Sequence, residues 1–558
     1  MSFRRKGFVM TRFIGIRHRR KRTKEGEARP TTVAIAEGGQ MVTYDLESDT
    51  VELDFLMHRF PIAWRKVRDD EEIMYCTEES AEGVRVRHCK SRKVKDGEEV
   101  TTLHPSHVLK ILDPKSGKAV MIIVTQIPVT YEGLKYGDMV GMVLGGSGDR
   151  YASALSRRGE EVGAEVYRLP PFSLADKRGD ATKEDDHLLI ASLLQRERSL
   201  FYLVRRRDRD MIRTKEAFSL RMSAMKSRIA CGQRLEQRMV GKIFLNEEGH
   251  FPEGVIEDLA AAELANDVIY GSSDDEERKY SRELEKSVKN MALWDLVFDD
   301  IVGCGTRLAA GLIVPISDIR RFWVDPARME EMYQQSRLFE QKGGFARDQH
   351  HVKDQIREDM GRCEVLGLVA RWQEANGKHE QANHLRQASS CHRERGRLLS
   401  KGKAKLRKFC GVHVNSHDKK GERLPSHLQF PRRRMGEVFN SSGVARQTLW
   451  LLGDQFNRHP DSDWGKRFLQ IKQKMREKHP EIVEEEVEEV SNGFKKKVIK
   501  KRFTPGHIQK MALWRTRSKF VDHLFLEWTR IEEDAERQRR AEVQDLQDLL
   551  WLEGICDD

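Results

Sequence analysis

Between residues 13 and 46, apolar and polar positions alternate with the period of two that a half-buried strand requires. Phe13-Ile14-Gly15-Ile16, Thr32-Val33-Ala34-Ile35-Ala36 and Gln40-Met41-Val42-Thr43-Tyr44 predict three antiparallel strands, joined by a polar turn at 24–27 and a Gly38-Gly39 turn. Residues 47–118 are polar, with short apolar runs and many turn residues, and predict an insertion into the domain that this meander opens. The apolar runs at 119–124 and 139–144 each suit a buried strand. After the second, Gly145-Gly146-Ser147-Gly148-Asp149 leads into a helix over 151–162, and 164–169 reads as a strand closed by Pro170-Pro171. Strand, helix, strand is the parallel crossover of an α/β sheet, so residues 1–185 predict an α/β domain.

From Asp185 the apolar spacing changes to three and four, and residues 186–290 predict a long amphipathic helical arm of coiled-coil type. An acidic stretch, Asp274-Asp275-Glu276-Glu277, falls within it. Residues 291–558 are predominantly helical in pattern, with a polar helical insertion at about 326–400. Near the C-terminus the run Glu484-Glu485-Glu486-Val487-Glu488-Glu489 faces Lys495-Lys496-Lys497-Val498-Ile499-Lys500-Lys501-Arg502 across Asn492-Gly493, and opposite charges across such a turn predict a hairpin.

Lys plus Arg exceed Asp plus Glu by 100 to 89 in 558 residues, a formal charge of +11 that favours a polyanionic partner. The chain has no run of the ~18 apolar residues that a membrane helix requires, which excludes a spanning protein from the expectations. Its basic N-terminus is broken by Arg12 and Arg17 and lacks a small-residue cleavage site, so a cytoplasmic compartment is expected. Eight cysteines without a Cys-x-x-Cys pair argue against a disulfide framework and against a zinc ribbon. Cys76, His88, Cys89, His104, His107, Cys391-His392 and the His413, Asn415 and His417 group have ligand types but no ligand frame, and read as ordinary side chains. The basic clusters Arg205-Arg206-Arg207, Arg432-Arg433-Arg434 and 495–502 are candidates for phosphate contact.

The most informative segment is Gly303-Cys304-Gly305-Thr306-Arg307-Leu308-Ala309-Ala310-Gly311, followed by Ser317-Asp318-Ile319-Arg320-Arg321-Phe322. A Gly-x-Gly turn opening a small-residue helix lets helices approach closely and can expose N–H groups to phosphate. With its companions it resembles the signature of bridge-RNA-guided DEDD recombinases and of the related Nop domain of box C/D ribonucleoproteins. Lys405-Leu406-Arg407-Lys408-Phe409-Cys410-Gly411, Gly443-Val444-Ala445-Arg446 and Met511-Ala512-Leu513-Trp514-Arg515 are similar to the later motifs of that superfamily. Upstream, 145–151 and 181–191 fall where its RNase H-like, RuvC-type domain ends its sheet.

A nuclease of that kind gathers about four carboxylates at strand ends to hold two magnesium ions. In the positions that the resemblance implies, this chain has Arg17, Gly145 and Lys183, and only Asp186 matches, with Asp185 and Asp180 nearby. The recombinase serine is also missing, since Lys420 precedes Gly421 and the nearest serine is Ser416. The resemblance therefore points to the nuclease-less RNA-guided Tas proteins of tandem interspaced guide RNA systems. It implies an RNase H-like domain, a coiled-coil arm and a Nop/transposase-like domain that bind a guide RNA, present it to a DNA target and pair as a homodimer through the arm. Gly303, Gly305, Arg307, Lys405, Arg407, Lys408 and Arg446 join Arg205, Arg206, Arg207, Arg432, Arg433 and Arg434 as candidate RNA contacts. The rival expectation is a magnesium-dependent RuvC-type endonuclease drawing on Glu37, Asp45, Asp138, Asp176, Asp180, Asp185 and Asp186.

Overall fold

The computed structural model describes residues 11–19, 29–76, 82–95, 103–112, 117–143, 148–249, 255–345, 361–414, 441–491 and 494–552, with Val100, Glu253 and Glu422 besides. They form a mixed α/β chain, largely helical, whose contacts divide it into two compact units between Ile212 and Arg213.

In the first unit, β1 (Phe13–Arg17), β2 (Thr31–Glu37) and β3 (Gln40–Leu46) form the expected meander. Glu37 lies opposite Gln40, so Gly38 and Gly39 close a two-residue turn, both at positive φ (55° and 83°) where glycine has no Cβ to clash. The helix α1 (Asp49–Leu56) is capped by Ser48, whose side chain accepts from the Val51 N–H. A second, antiparallel sheet follows, in which the 14-residue β7 (Ala119–Glu132) pairs with β4 (Phe60–Lys66), β5 (Lys90–Lys93) and β6 (Val108–Leu112). The apolar run at 119–124 thus belongs to the inserted sheet, which extends the insertion to Glu132 from the expected limit of 118. Ile122, Ile123 and Val124 are buried, and Val124 clusters with Ile73, Ile127 and Leu109 of the inserted region.

The chain returns through β8 (Met139–Val143), α2 (Asp149–Val162) and β9 (Glu165–Leu169), the expected parallel crossover. β8 lies beside β1 in parallel register, and the main sheet has the order β10-β9-β8-β1-β2-β3, with β10 at Tyr202–Leu203. One face, with Ile14, Ile16, Val140, Met142 and Val166, packs on Phe55 of α1 and Leu155 of α2. The other face receives α4 (Asp186–Arg196), which follows α3 (Pro171–Arg178). Gly15 and Gly141 are register partners there, and each is small by necessity. A Cβ on Gly15 would stand 2.1 Å from the His187 carbonyl oxygen, and one on Gly141 2.7 Å from Ile190 Cγ2. This close approach makes α4 part of the sheet's packing and not of the arm, and moves the first boundary from the expected 185 to 212. Ile190 and Leu194 are fully buried against Tyr167, Leu169 and Phe201.

Among its described residues, the second unit is helical apart from one hairpin. Helix α5 (Arg206–Phe244) lies antiparallel to α7 (Val268–Lys289), with α6 (Ile256–Asn266) between them in sequence. Thr214 meets Ser287 at 2.5 Å, Arg221 and Arg228 both reach Glu277, and Gly232 lies beside Tyr270. After a π-helical turn at Trp294–Phe298 come α8 (Thr306–Ile316), α9 (Pro326–Lys342), α10 (Arg362–Ala375), α11 (His379–Phe409), α12 (Gly443–Arg458), α13 (Asp463–Lys478) and α14 (Pro505–Leu552). Phe298, Phe456, Phe468, Phe520 and Phe525 are fully buried in this unit. The expected helical insertion is a satellite bundle of α9, α10 and the first half of α11, with Leu366, Ala370, Ala382 and Leu385 in its own core. The predicted hairpin forms from β11 (Val483–Ser491) and β12 (Phe494–Arg502), with Glu484 opposite Lys501, Glu485 opposite Lys500 and Glu488 opposite Lys497.

Candidate nucleic-acid interface

At the C-terminal end of β1, Gly15 and Arg17 share the sheet face that meets α4. Because α4 lies so close to Gly15, its first turn and the 3₁₀ turn Lys183–Asp185 before it come over Arg17. Arg17 donates to Glu184 Oε2 at 2.5 Å and to Thr32 Oγ1 at 2.7 Å, and Thr32 in turn donates to Asp45 Oδ1 at 2.8 Å. Arg29 pairs with the other oxygen of Glu184. His187 sits in the same place: burial, and then the Arg17 charge, push its pKa below the ordinary value, while Asp185 and Asp45 act the other way. A guanidinium therefore stands among carboxylates at the strand end, where its positive charge opposes the binding of a divalent ion.

The remaining acidic candidates are dispersed or engaged. Asp186 accepts two hydrogen bonds from Arg178, at 2.8 and 2.9 Å, and Asp185 accepts from Thr182 at 2.8 Å. Asp180 and Asp176 are exposed. Glu37 lies at the opposite end of β2 from Thr32, five residues or about 17 Å away at ~3.3 Å per residue. Asp138 is almost fully buried at the other end of β8, where Arg12 donates to both of its oxygens at 2.8 Å and to Glu132 at 2.9 Å. Among the described residues no three His, Cys, Asp or Glu side chains are placed to hold a metal ion. Of the rival set, Asp45 and Asp185 come near His187 and Arg17 while Glu37, Asp138, Asp176 and Asp180 lie elsewhere or are engaged, so the described residues do not fit a two-magnesium site.

In the second unit the Gly-x-Gly segment is a packing device. Gly303 has a φ of 83°, and a Cβ on it would stand 2.9 Å from Gln455 Cβ on α12. Gly311 is tighter still, since its Cβ would meet Thr448 Oγ1 at 2.3 Å. Gly305, expected to share this close approach, is the N-cap residue of α8 and has open space around it. The approach is made one and a half turns further along instead, where α8 crosses α12. Arg307 is exposed and lies near Glu285, whose carboxyl is held below its usual range first by Lys289 and then by Arg307.

The basic candidates separate into groups. Lys408 on α11 and Arg446 on α12 converge on His413, whose pKa is pushed down by burial first and then by these two charges. Arg446 also packs beside Gly411, and Lys405 and Lys408 are exposed. Arg407 turns toward Asp522 at 3.2 Å. Along α12, Arg446 and the Gly303 contact at Gln455 are nine residues apart, about 13 Å at ~1.5 Å per residue. In the first unit, Arg206 is exposed while Arg205 and Arg207 are half-buried. Arg209, next to them, is buried and donates to Glu160 at 2.6 and 2.9 Å. Arg432, Arg433 and Arg434 lie outside the described residues, as do Gly145, Asn415, Ser416, His417 and Lys420. The basic strand of the hairpin has the acidic strand directly across from it.

The histidines and cysteines with ligand types have other partners. His88 bonds Asp54 at 2.9 Å, His107 bonds the Glu71 carbonyl at 2.6 Å and His392 bonds the buried Glu340 at 2.6 Å. Cys89 is pushed up to about 11 by burial. No protein-family model matches the chain, and no curated protein matches it.

Proposed function

We propose that the chain is the guide-RNA-binding protein of a cytoplasmic, RNA-guided, DNA-targeting ribonucleoprotein, with an RNase H-like first domain and a Nop/transposase-like second domain. The observation that carries the reading is Arg17, a cation at the end of the first strand where a nuclease of this architecture needs a carboxylate, held by Glu184 and Thr32. Positive charge there opposes magnesium and favours phosphate. The sheet supports the same reading, since three antiparallel strands followed by two parallel ones, in the order β3-β2-β1-β8-β9, is the arrangement an RNase H-like domain requires. Lys405, Lys408 and Arg446 are the guide-RNA contacts that the second unit offers together. Pairing of two copies through the arm is favoured by the exposed Phe244, Leu245, Val268 and Ile269 near its tip.

The test is the purified protein, with the RNA it carries, incubated with matched duplex DNA and Mg²⁺ or Mn²⁺. Binding without strand cleavage is expected. Cleavage that disappears on Asp186→Ala overturns the reading in favour of a RuvC-type endonuclease.

A further inference from the structure

The satellite bundle carries a second basic site that the motifs do not include. Helices α10 and α11 run antiparallel and are tied by a reciprocal pair of hydrogen bonds: Cys363 Sγ to the Ser389 carbonyl at 3.5 Å, and Ser389 Oγ to the Cys363 carbonyl at 3.1 Å. Over this tie lies a cavity of about 480 Å³, lined by Cys363 and Ser389 together with Leu368, Arg371, Arg386, Arg393 and the carboxylate of Glu364. Glu364 is engaged at the helix start, where it accepts from the Gly361 N–H at 3.3 Å, and Arg386 pairs with Glu374. Arg371 and Arg393 are exposed and make no hydrogen bond or ion pair among the described residues. Leu368, which lines the cavity, is 47% exposed, and Trp372, one turn further along α10 and outside the lining, is 60% exposed.

We propose that this cavity and the adjoining surface of α10 bind a single-stranded segment of nucleic acid, with Arg371 and Arg393 on its phosphates and Trp372 stacked on a base beyond the cavity's rim. Guanidinium groups with no acidic partner, set beside an exposed indole, are the combination that single-strand grooves use. A duplex would not offer its base faces to Trp372. An acidic peptide would use the arginines but leave the exposed indole without a flat partner. The inference rests on the nucleic-acid reading given above, and extends it to a surface outside the resembling motifs.

The experiment is a binding titration of the full chain with a fluorescent 12-nucleotide RNA of unstructured sequence, at several salt concentrations. Arg371→Ala with Arg393→Ala should lower the log–log salt slope by about 1.4, at ~0.7 for each lost phosphate contact. Trp372→Ala should weaken binding about fivefold or more with the slope unchanged. All three side chains are exposed, so an unchanged circular dichroism spectrum is expected for each variant. Slopes and affinities equal to wild type, or a wild-type chain that does not bind the oligonucleotide, overturn the inference. RNA recovered from the purified wild-type chain reports separately on the guide-RNA reading. If a discrete RNA is retained equally by the triple variant, the inference fails and that reading stands. If no discrete RNA is recovered while the oligonucleotide responds as stated, the reverse holds.

Discussion

Replacing Arg12 by Met isolates the energetics on which the first unit depends. Arg12 is 4% exposed, and its guanidinium makes four hydrogen bonds: two to Asp138, one to Glu132 and one to the Gly133 carbonyl, all between 2.8 and 2.9 Å. It joins the start of β1 to the end of β7 and the start of β8. Methionine keeps the apolar volume but leaves Asp138, 1% exposed, without its guanidinium, and Glu132, 9% exposed, with Lys135 alone at 3.1 Å. Breaking a buried pair in this way costs about 3–5 kcal/mol. The acid side gives a second, independent signature. Burial alone would raise the Glu132 pKa, but the Gly133 N–H, Arg12 and Lys135 together hold it below its usual value. A folded pKa below the unfolded one means stability that is present above about pH 4.3 and lost as pH falls. Without Arg12, the Gly133 N–H and Lys135 remain against burial, so the depression shrinks and the variant has less of this stability to lose on acidification. The gap between wild type and Arg12→Met should therefore be widest near neutrality and narrow towards pH 4. Native-state amide exchange of β1 and β8, followed by mass spectrometry, reads this unit separately from the helical one. Protection should fall by about 10² to 5 × 10³-fold at pH 7. A loss under tenfold, or a gap that widens on acidification, would refute the reasoning.

Gly311→Ala should destabilise the helical unit by about 1–3 kcal/mol, because the new Cβ meets Thr448 at 2.3 Å, and Thr448→Ala should rescue most of that loss. Additive losses in the urea midpoints of the double variant would show that α8 and α12 do not cross there. Cys304 and Cys410, each pushed up to about 12 by burial, should resist iodoacetamide at pH 8.5 in the native protein and react once it is unfolded, as peptide mass mapping would report. The His413 imidazole should titrate below its ordinary value, mainly through burial, and Lys408→Ala should raise its pKa in an NMR titration. No change on that substitution would separate Lys408 from the Arg446 group.

The meander, the crossover and the charged hairpin were legible because each is written in local pattern: period two, an apolar run before a helix, and opposite charges across Asn492-Gly493. Helix α4 was not, since its stripe of Ile190, Ala191 and Leu194 looks the same whether it faces another helix or a sheet. What decides the matter is Gly15 and Gly141 on two different strands, a coincidence that no window of sequence contains. The same limit applies to the strand-end site. Arg17 was readable as a cation out of place, but its partner Glu184 is 167 residues away, and Lys183 beside it drew the attention instead. Gly303 and Gly305 look equivalent in sequence. Only Gly303 has positive φ and a helix against it, so the backbone and not the motif distinguishes them.

The central claim, that this chain carries a particular RNA, is tested most directly by sequencing the RNA that remains bound to the affinity-purified, full-length protein, in parallel with Lys408→Glu/Arg446→Glu. The account predicts one short, discrete RNA species with wild type and its loss from the double variant, whose two charges lie together beside His413. A heterogeneous sample of cellular RNA, retained equally by both proteins, would contradict it and leave a basic chain that binds polyanions without selection.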